Sequence, residues 1–151
     1  MKVVHTLVIV ALAVLMASCC ACRMKSSDPL NTFVGHEWKL IQKGDEVMPA
    51  RETENYRVTF TWDKNVYGVG DCNRFSGSFT YSAVKKPTTI DIGQLATTRM
   101  GCPNPAGETE FIQFLQKADR YDVDGDLLIL QVSGQSKDSG RWVFEKVKPV
   151  K

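Results

Sequence analysis

Apolar and polar residues alternate along several short segments of the chain. The pattern is clearest at 56–62, where every second position is aromatic or β-branched: Tyr56, Val58, Phe60 and Trp62. A period of two places alternate side chains on opposite faces of a strand, so one face of this segment is expected to be buried. Similar patterns predict further strands at 36–43, 66–69, 75–81, 90–92, 128–132 and 142–147. Asp124-Gly125 suits a tight hairpin turn between 121–123 and 127–130.

One segment instead has the spacing of an amphipathic helix. Apolar residues recur at intervals of three and four, which places them on one helical face: Phe111, Ile112, Phe114, Leu115 and Ala118. Asn104 can cap the amino end and Pro105 suits the first helical position. Lys117 and Arg120 complement the negative end of the helix dipole.

These elements predict a mainly β fold of the α+β class with a single helix over 105–120. The short alternating strands favour a strongly curved antiparallel sheet or a partly open β-barrel. Such sheets leave an edge or an open side, and we expect the helix to cover it.

The first residues have a different pattern. Lys2 supplies a positive charge, and Leu7–Met16 is an unbroken apolar run. The run is shorter than the roughly 20 residues that span a bilayer, but it has the length of the apolar region of a signal peptide. Met16-Ala17-Ser18-Cys19 resembles the lipobox of bacterial lipoproteins, whose cysteine is acylated. We therefore predict a signal peptide at 1–18 and lipidation of Cys19.

The leader leaves alternatives open. An ordinary signal peptide would release the protein into the periplasm, and Cys20 or Cys22 could take the lipid, although cysteines in the preceding positions make both a poorer match. Lipidation would place the protein on the cell envelope, anchored and facing the periplasm. An Asp after the acylated cysteine is the usual signal for retention in the inner membrane. Cys20 stands there instead, which favours the outer membrane.

The remaining sequence is divided into a polar tether at 19–32 and one domain at 33–147. Lys2 is the only charged residue in the leader, so the 19 basic residues fall to 18, against 17 acidic ones. Near-neutrality argues against nucleic acid as a partner, because such a surface needs a basic stripe. The expected partners are the membrane, through the N-terminal lipid, and an unidentified envelope protein or small ligand.

Cys72 and Cys102 are the only cysteines in the predicted domain. Export exposes them to oxidation, and a disulfide closing a loop of about 30 residues would stabilise the fold by roughly 3–4 kcal/mol. Two buried free thiols are the alternative that the sequence leaves open. A cysteine nucleophile or a zinc site would require His36, the only histidine after the leader, and no metal-binding spacing supports either role. We predict no catalytic residues, no metal and no cofactor.

Two arginines also occur in the cysteine-containing segments. Arg74 and Arg99 could together bind an anion if the segments meet, but the favoured interpretation is that they pair with nearby carboxylates such as Asp71 or Asp91. The glycines of the predicted strands are interpreted as bulges or bends: Gly68, Gly70, Gly77 and Gly93.

Cys72-Asn73-Arg74-Phe75-Ser76-Gly77 and Thr97-Thr98-Arg99-Met100-Gly101-Cys102-Pro103 resemble the two signatures of the META/HslJ-like domain family of bacterial envelope proteins. The resemblance extends over about 33–146. It implies a small antiparallel β-barrel-like domain with one helix, and a loose connection with heat shock, envelope stress and novobiocin tolerance. It implies no catalytic mechanism. The motif residues that it singles out are Asn73, Arg74, Gly77, Thr98, Arg99 and Pro103.

The function expected from these observations is that of a non-enzymatic envelope lipoprotein supporting stress tolerance or envelope integrity. The alternative is an inhibitor of a secreted hydrolase such as lysozyme or a protease. An inhibitor would need a protruding loop that plugs an active site, and Lys85-Lys86-Pro87 or 133–139 are the candidate loops.

Overall fold

The computed structural model describes residues 33–84, 87–136 and 140–148. The predicted signal peptide, Cys19 and the tether lie outside the described residues, as do Lys85, Lys86 and 137–139. No helix in the described part of the chain is long and apolar enough to cross a membrane.

The described residues form ten strands and two helices. The strands are β1 (Glu37–Lys43), β2 (Glu46–Val47), β3 (Tyr56–Phe60), β4 (Asn65–Gly70), β5 (Asn73–Ser82), β6 (Thr89–Ile92), β7 (Ala96–Thr97), β8 (Arg120–Asp124), β9 (Leu127–Gln131) and β10 (Arg141–Lys146). The helices are α1 (Ala50–Thr53) and α2 (Pro105–Lys117).

The strands form one antiparallel sheet in the order β10-β9-β8-β6-β5-β4-β3-β1-β2, and β7 pairs with β5. Because β1 also pairs with β10, the curved sheet closes into a ring. Strands β6 and β8 have the shortest pairing in the ring, a single pair with Thr89 opposite Arg120. The prediction of a mainly β fold with a strongly curved antiparallel sheet and one main helix is confirmed.

Helix α2 begins where its capping signals predict. Asn104 precedes the helix, and its side-chain oxygen Oδ1 accepts a hydrogen bond from the Gly107 N–H at 3.0 Å. The predicted end at Arg120 is wrong, because Ala118 already has extended backbone angles (φ −62°, ψ 123°). Arg120 instead begins β8 opposite Gln131.

Three further elements were absent from the sequence prediction. Strands β2 and β7 have two residues each, and helix α1 has four. Elements this short contain only about one period of their own repeat, so alternation and helical spacing cannot reveal them. Strands β2 and β7 form because β1 and β5 supply their hydrogen-bond partners, whereas α1 is held by local hydrogen bonds to the Pro49 carbonyl.

Aromatic side chains fill the ring in two clusters, one near each end. Phe33 lies within 4.8 to 6.1 Å, between ring centroids, of Phe60, Phe79, Tyr81 and Tyr121. Phe111 of α2 lies within 5.3 to 6.3 Å of Tyr56, Phe75, Trp142 and Phe144. Strands β3 and β5 contribute to both clusters from opposite ends, so the apolar face predicted for α2 closes one end of the core.

The glycines of β4 and β5 serve close packing, and their interpretation as bulges is wrong for this strand pair. The pairing runs without a shift from Asn65 opposite Ser78 to Gly70 opposite Asn73. A Cβ on Gly77 would lie 2.8 Å from the Gln94 carbonyl oxygen, so only glycine lets the 93–95 segment pass this close. The register does shift in β1 instead, between Leu40 and Gln42.

Candidate functional site

A disulfide joins the two cysteine-containing segments. Cys72 and Cys102 are bonded, and their Cα atoms lie 5.5 Å apart. The bond links the turn before β5 to the loop that precedes α2. The Asp71 carboxylate lies within 4.8 Å of both sulfurs. Sulfurs that are bonded to each other are not thiolates, so this group lacks the ligands that a zinc site would use.

Asn73 connects the same two segments through its side chain and is almost fully buried, with 5% of its surface exposed. Its Oδ1 accepts hydrogen bonds from Thr98 Oγ1 at 2.9 Å and from the Met100 N–H at 2.7 Å. Its Nδ2 donates to Glu108 Oε2 at 2.8 Å and to the Met100 carbonyl at 3.2 Å, and lies 3.0 Å from Cys102 Sγ. One side chain therefore holds β5, the 98–102 loop and helix α2 together.

Thr98 extends this connection to the backbone of β5. Its Oγ1 accepts a hydrogen bond from the Arg74 N–H at 3.0 Å while donating to Asn73. The Thr98 N–H donates to the Arg74 carbonyl at 2.9 Å. The short strand β7 is thus fastened to β5 by backbone and side chain, and this fixes the position of Thr97 and Thr98.

Asp71 ties the start of helix α2 to the turn before β5. Its Oδ2 accepts a hydrogen bond from the Asn104 N–H at 2.9 Å. Pro103 is exposed between the bonded Cys102 and the cap Asn104. The motif residues Asn73, Thr98 and Gly77 therefore determine how neighbouring segments pack against one another, and none of their contacts requires a ligand.

The two motif arginines behave differently from the expectation. Both side chains are exposed, and no carboxylate of the described residues lies within 4.0 Å of Arg74 or Arg99. The predicted pairing with Asp71 or Asp91 is not found among these residues. Asp71 instead accepts a hydrogen bond from the Asn104 N–H, and Asp91 of β6 lies opposite Thr80 of β5.

A groove of about 570 Å³ lies on the outer face of the sheet. Its lining consists of Glu37, Thr59, Tyr67, Gly68, Val69, Arg74, Phe75, Ser76, Ala96, Thr97 and Thr98. The strand register explains the grouping, since residues opposite one another share a face. One row of the outer face contains Glu37, Thr59, Tyr67, Ser76 and Ala96. The next row contains Arg57, Val69 and Arg74.

The histidine that a cysteine nucleophile would require has other neighbours. His36 is half-buried, with its ring edge-on to Trp38 at 6.3 Å. Burial lowers the pKa of His36 below its usual range, the positive charge of Lys146 lowers it further, and Asp126 opposes this shift. Because Cys72 and Cys102 are bonded to each other, neither offers a thiolate for this imidazole to activate.

The two signature segments, their shared disulfide and the ring-shaped sheet agree with a comparison against known families. Residues 31–147 match the family model of the META domain. The chain belongs to the META domain family. No curated protein sequence matches it.

Solved structures share the fold of this META domain. A DUF4847 family protein from Bacteroides vulgatus is 17% identical, with a TM-score of 0.58, and the match covers 80% of this chain and 98% of that protein. A protein from Burkholderia xenovorans, solved by NMR, is 20% identical, with a TM-score of 0.60 and coverage of 80% and 89%. At these identities the likeness establishes the fold alone.

The structure also reveals residues of the META domain that the sequence did not single out. Glu108 lies in the first turn of α2, and its carboxylate accepts a hydrogen bond from Asn73 Nδ2. Tyr67 and Val69 of β4 were assigned only to a strand, yet they line the groove. The alternation along β4 and β5 could have indicated these groove residues. Once the buried positions of the two strands are known, the positions between them must face outward.

The candidate inhibitory loops are only partly described. Pro87 and residues 133–136 are exposed, whereas Lys85, Lys86 and 137–139 lie outside the described residues. The inhibitor alternative stays a prediction.

Proposed function

We propose that this META domain protein is a non-enzymatic lipoprotein of the cell envelope, held on the membrane by lipid on Cys19, and that it supports stress tolerance. The observation that carries the proposal is the Cys72–Cys102 disulfide. Structural disulfides persist in oxidising compartments and are rare in the cytosol, so the bond fits export. The leader and the Met16-Ala17-Ser18-Cys19 sequence supply the route and the anchor.

The contacts of the motif residues support a non-catalytic role. The side chains of Asn73 and Thr98 form hydrogen bonds with backbone groups and with each other, and Asn73 also bonds Glu108. A catalytic constellation would instead leave a nucleophile, a base and an oxyanion donor facing one space. We assign these residues to stabilisation of a domain presented towards the periplasm, with the outer membrane as the favoured location.

Lipidation is tested by intact mass and detergent partitioning of the protein purified from envelopes. Cys19→Ala should abolish the acyl mass and the partitioning into detergent, whereas Cys22→Ala should retain both. Acylation of Cys19→Ala protein would contradict the assignment and redirect it to Cys20 or Cys22. Protein recovered from the cytosol with free Cys72 and Cys102 thiols would contradict export.

The role in stress tolerance requires cells. A strain lacking the gene should survive heat and novobiocin less well than its parent, and expression of the wild-type chain should restore survival. The Cys19→Ala chain should restore less, because it is not held at the membrane. Equal survival of deletion strain and parent under every envelope stress would overturn this part of the proposal.

A further inference from the structure

The outer face of the sheet contains two arginines whose surroundings differ. Arg57 of β3 and Arg74 of β5 lie on the same row, on either side of Val69. Two inter-strand spacings separate their backbones by about 10 Å. Arg57 forms ion pairs with Glu54 and, at 3.6 Å, with Glu37. Arg74 has no such partner among the described residues, although it sits in the same sheet face.

The space beside Arg74 has the dimensions and lining of a ligand site. The groove volume of about 570 Å³ falls within the 300–1,000 Å³ typical of small-molecule sites. Tyr67, whose exposed fraction is 49%, Val69 and Ala96 provide apolar surface. Ser76 adds a hydroxyl group from the outer row, and Thr97 also lines the groove.

Hydrogen bonds hold the wall of the groove that residues 96–98 form. Thr98 is held by the Arg74 backbone and by Asn73, which is itself held by Met100 and Glu108. Hydrogen bonds that join neighbouring segments in this way help to fix the geometry of a nearby site. The second signature segment thereby keeps residues 96–98 beside Arg74.

We propose that this groove binds a small soluble anion with a flat apolar body, such as an aromatic carboxylate or sulfonate. The guanidinium of Arg74 donates paired N–H hydrogen bonds to the anionic group. Tyr67, Val69 and Ala96 contact the apolar body, and an aromatic ring stacks on Tyr67. Glu37 is neutralised by Arg57 at the far end, so among the described residues that line the groove Arg74 has the one uncompensated charge, and that charge is positive. This assignment does not depend on lipidation or on a role in stress.

The test uses two fluorescent probes with the same ring system, anilinonaphthalene sulfonate and the uncharged N-phenylnaphthylamine. The protein purified from envelopes is placed in nanodiscs of neutral lipid if it carries lipid and is kept in buffer if it carries none, so that anionic headgroups do not compete, and protein-free samples are subtracted. Arg74→Ala should weaken sulfonate binding by about 10- to 100-fold, the effect of losing a charge-assisted hydrogen bond, and leave the uncharged probe unaffected. Tyr67→Ala should weaken the binding of both probes.

Arg99→Ala is the matched control, since Arg99 is also an exposed motif arginine and does not line the groove. It should bind the sulfonate like the wild type. Three results would overturn the proposal: no saturable sulfonate binding by the wild type, equal binding by Arg74→Ala, or equal losses in Arg74→Ala and Arg99→Ala. Unchanged unfolding of Arg74→Ala in urea verifies that a loss of binding is local.

Discussion

The two faces of strand β5 contain residues of one motif, yet their surroundings are opposite. Asn73 and Phe75 point inward, where Asn73 bonds the second signature segment and Phe75 packs on Phe111. Arg74 points outward into the groove without a carboxylate partner in the described residues. Neighbouring residues of one motif can therefore have different roles: those on the inner face stabilise the fold, and the one on the outer face is available for recognition. The substitutions below test that division from the largest expected effect to the smallest.

The strongest test of the inner face is Phe111→Ala. Phe111 is fully buried among Tyr56, Phe75, Trp142 and Phe144. Its removal should lower the free energy of unfolding by about 3–5 kcal/mol, the usual range for a buried phenylalanine. Urea unfolding measures the loss, and Gln113→Ala on the exposed face of α2 is the control. A cost near zero would mean that α2 does not cover the core.

Removing the disulfide by the double substitution Cys72→Ser and Cys102→Ser should cost about 3–4 kcal/mol, because a loop of about 30 residues regains its freedom in the unfolded chain. The midpoint of thermal unfolding should fall by at least several degrees. Probe binding by the folded protein should remain, since neither cysteine lines the groove. If the double variant kept full stability but lost probe binding, the assignment of stability to the inner face and of recognition to the outer face would be contradicted.

Gly77→Ala tests the close passage of the 93–95 segment over β5. The added Cβ would meet the Gln94 carbonyl oxygen at 2.8 Å, and a backbone atom cannot move aside cheaply. We expect a loss of about 1–3 kcal/mol, as for other overpacked positions. Gly101→Ala is the matched control, because a Cβ there has no neighbour within 4 Å. Equal stabilities of the two variants in urea would refute the packing argument.

The sequence predicted those parts of the molecule that depend on local repeats. The inward residues of β3 and the apolar face around Phe111 follow from periods of two and about 3.6, and Asn104 from its capping chemistry. The contacts of Asn73 could not be predicted, since they depend on residues 25 to 35 positions away along the chain. The pairing of Arg74 with Asp71 was mispredicted for the same reason, since Asp71 bonds the Asn104 N–H, 33 positions away along the chain.

The most direct test of the division compares Asn73→Ala with Arg74→Ala in one experiment, urea unfolding followed by titration with anilinonaphthalene sulfonate. Asn73→Ala should lower the free energy of unfolding by about 1–3 kcal/mol, because the part-buried groups of Thr98, Met100 and Glu108 lose their hydrogen bonds to this side chain. Arg74→Ala should stay within about 0.5 kcal/mol of the wild type, as exposed positions usually do, and should lose sulfonate binding. A large loss of stability in Arg74→Ala with sulfonate binding retained would contradict the assignment of the two faces.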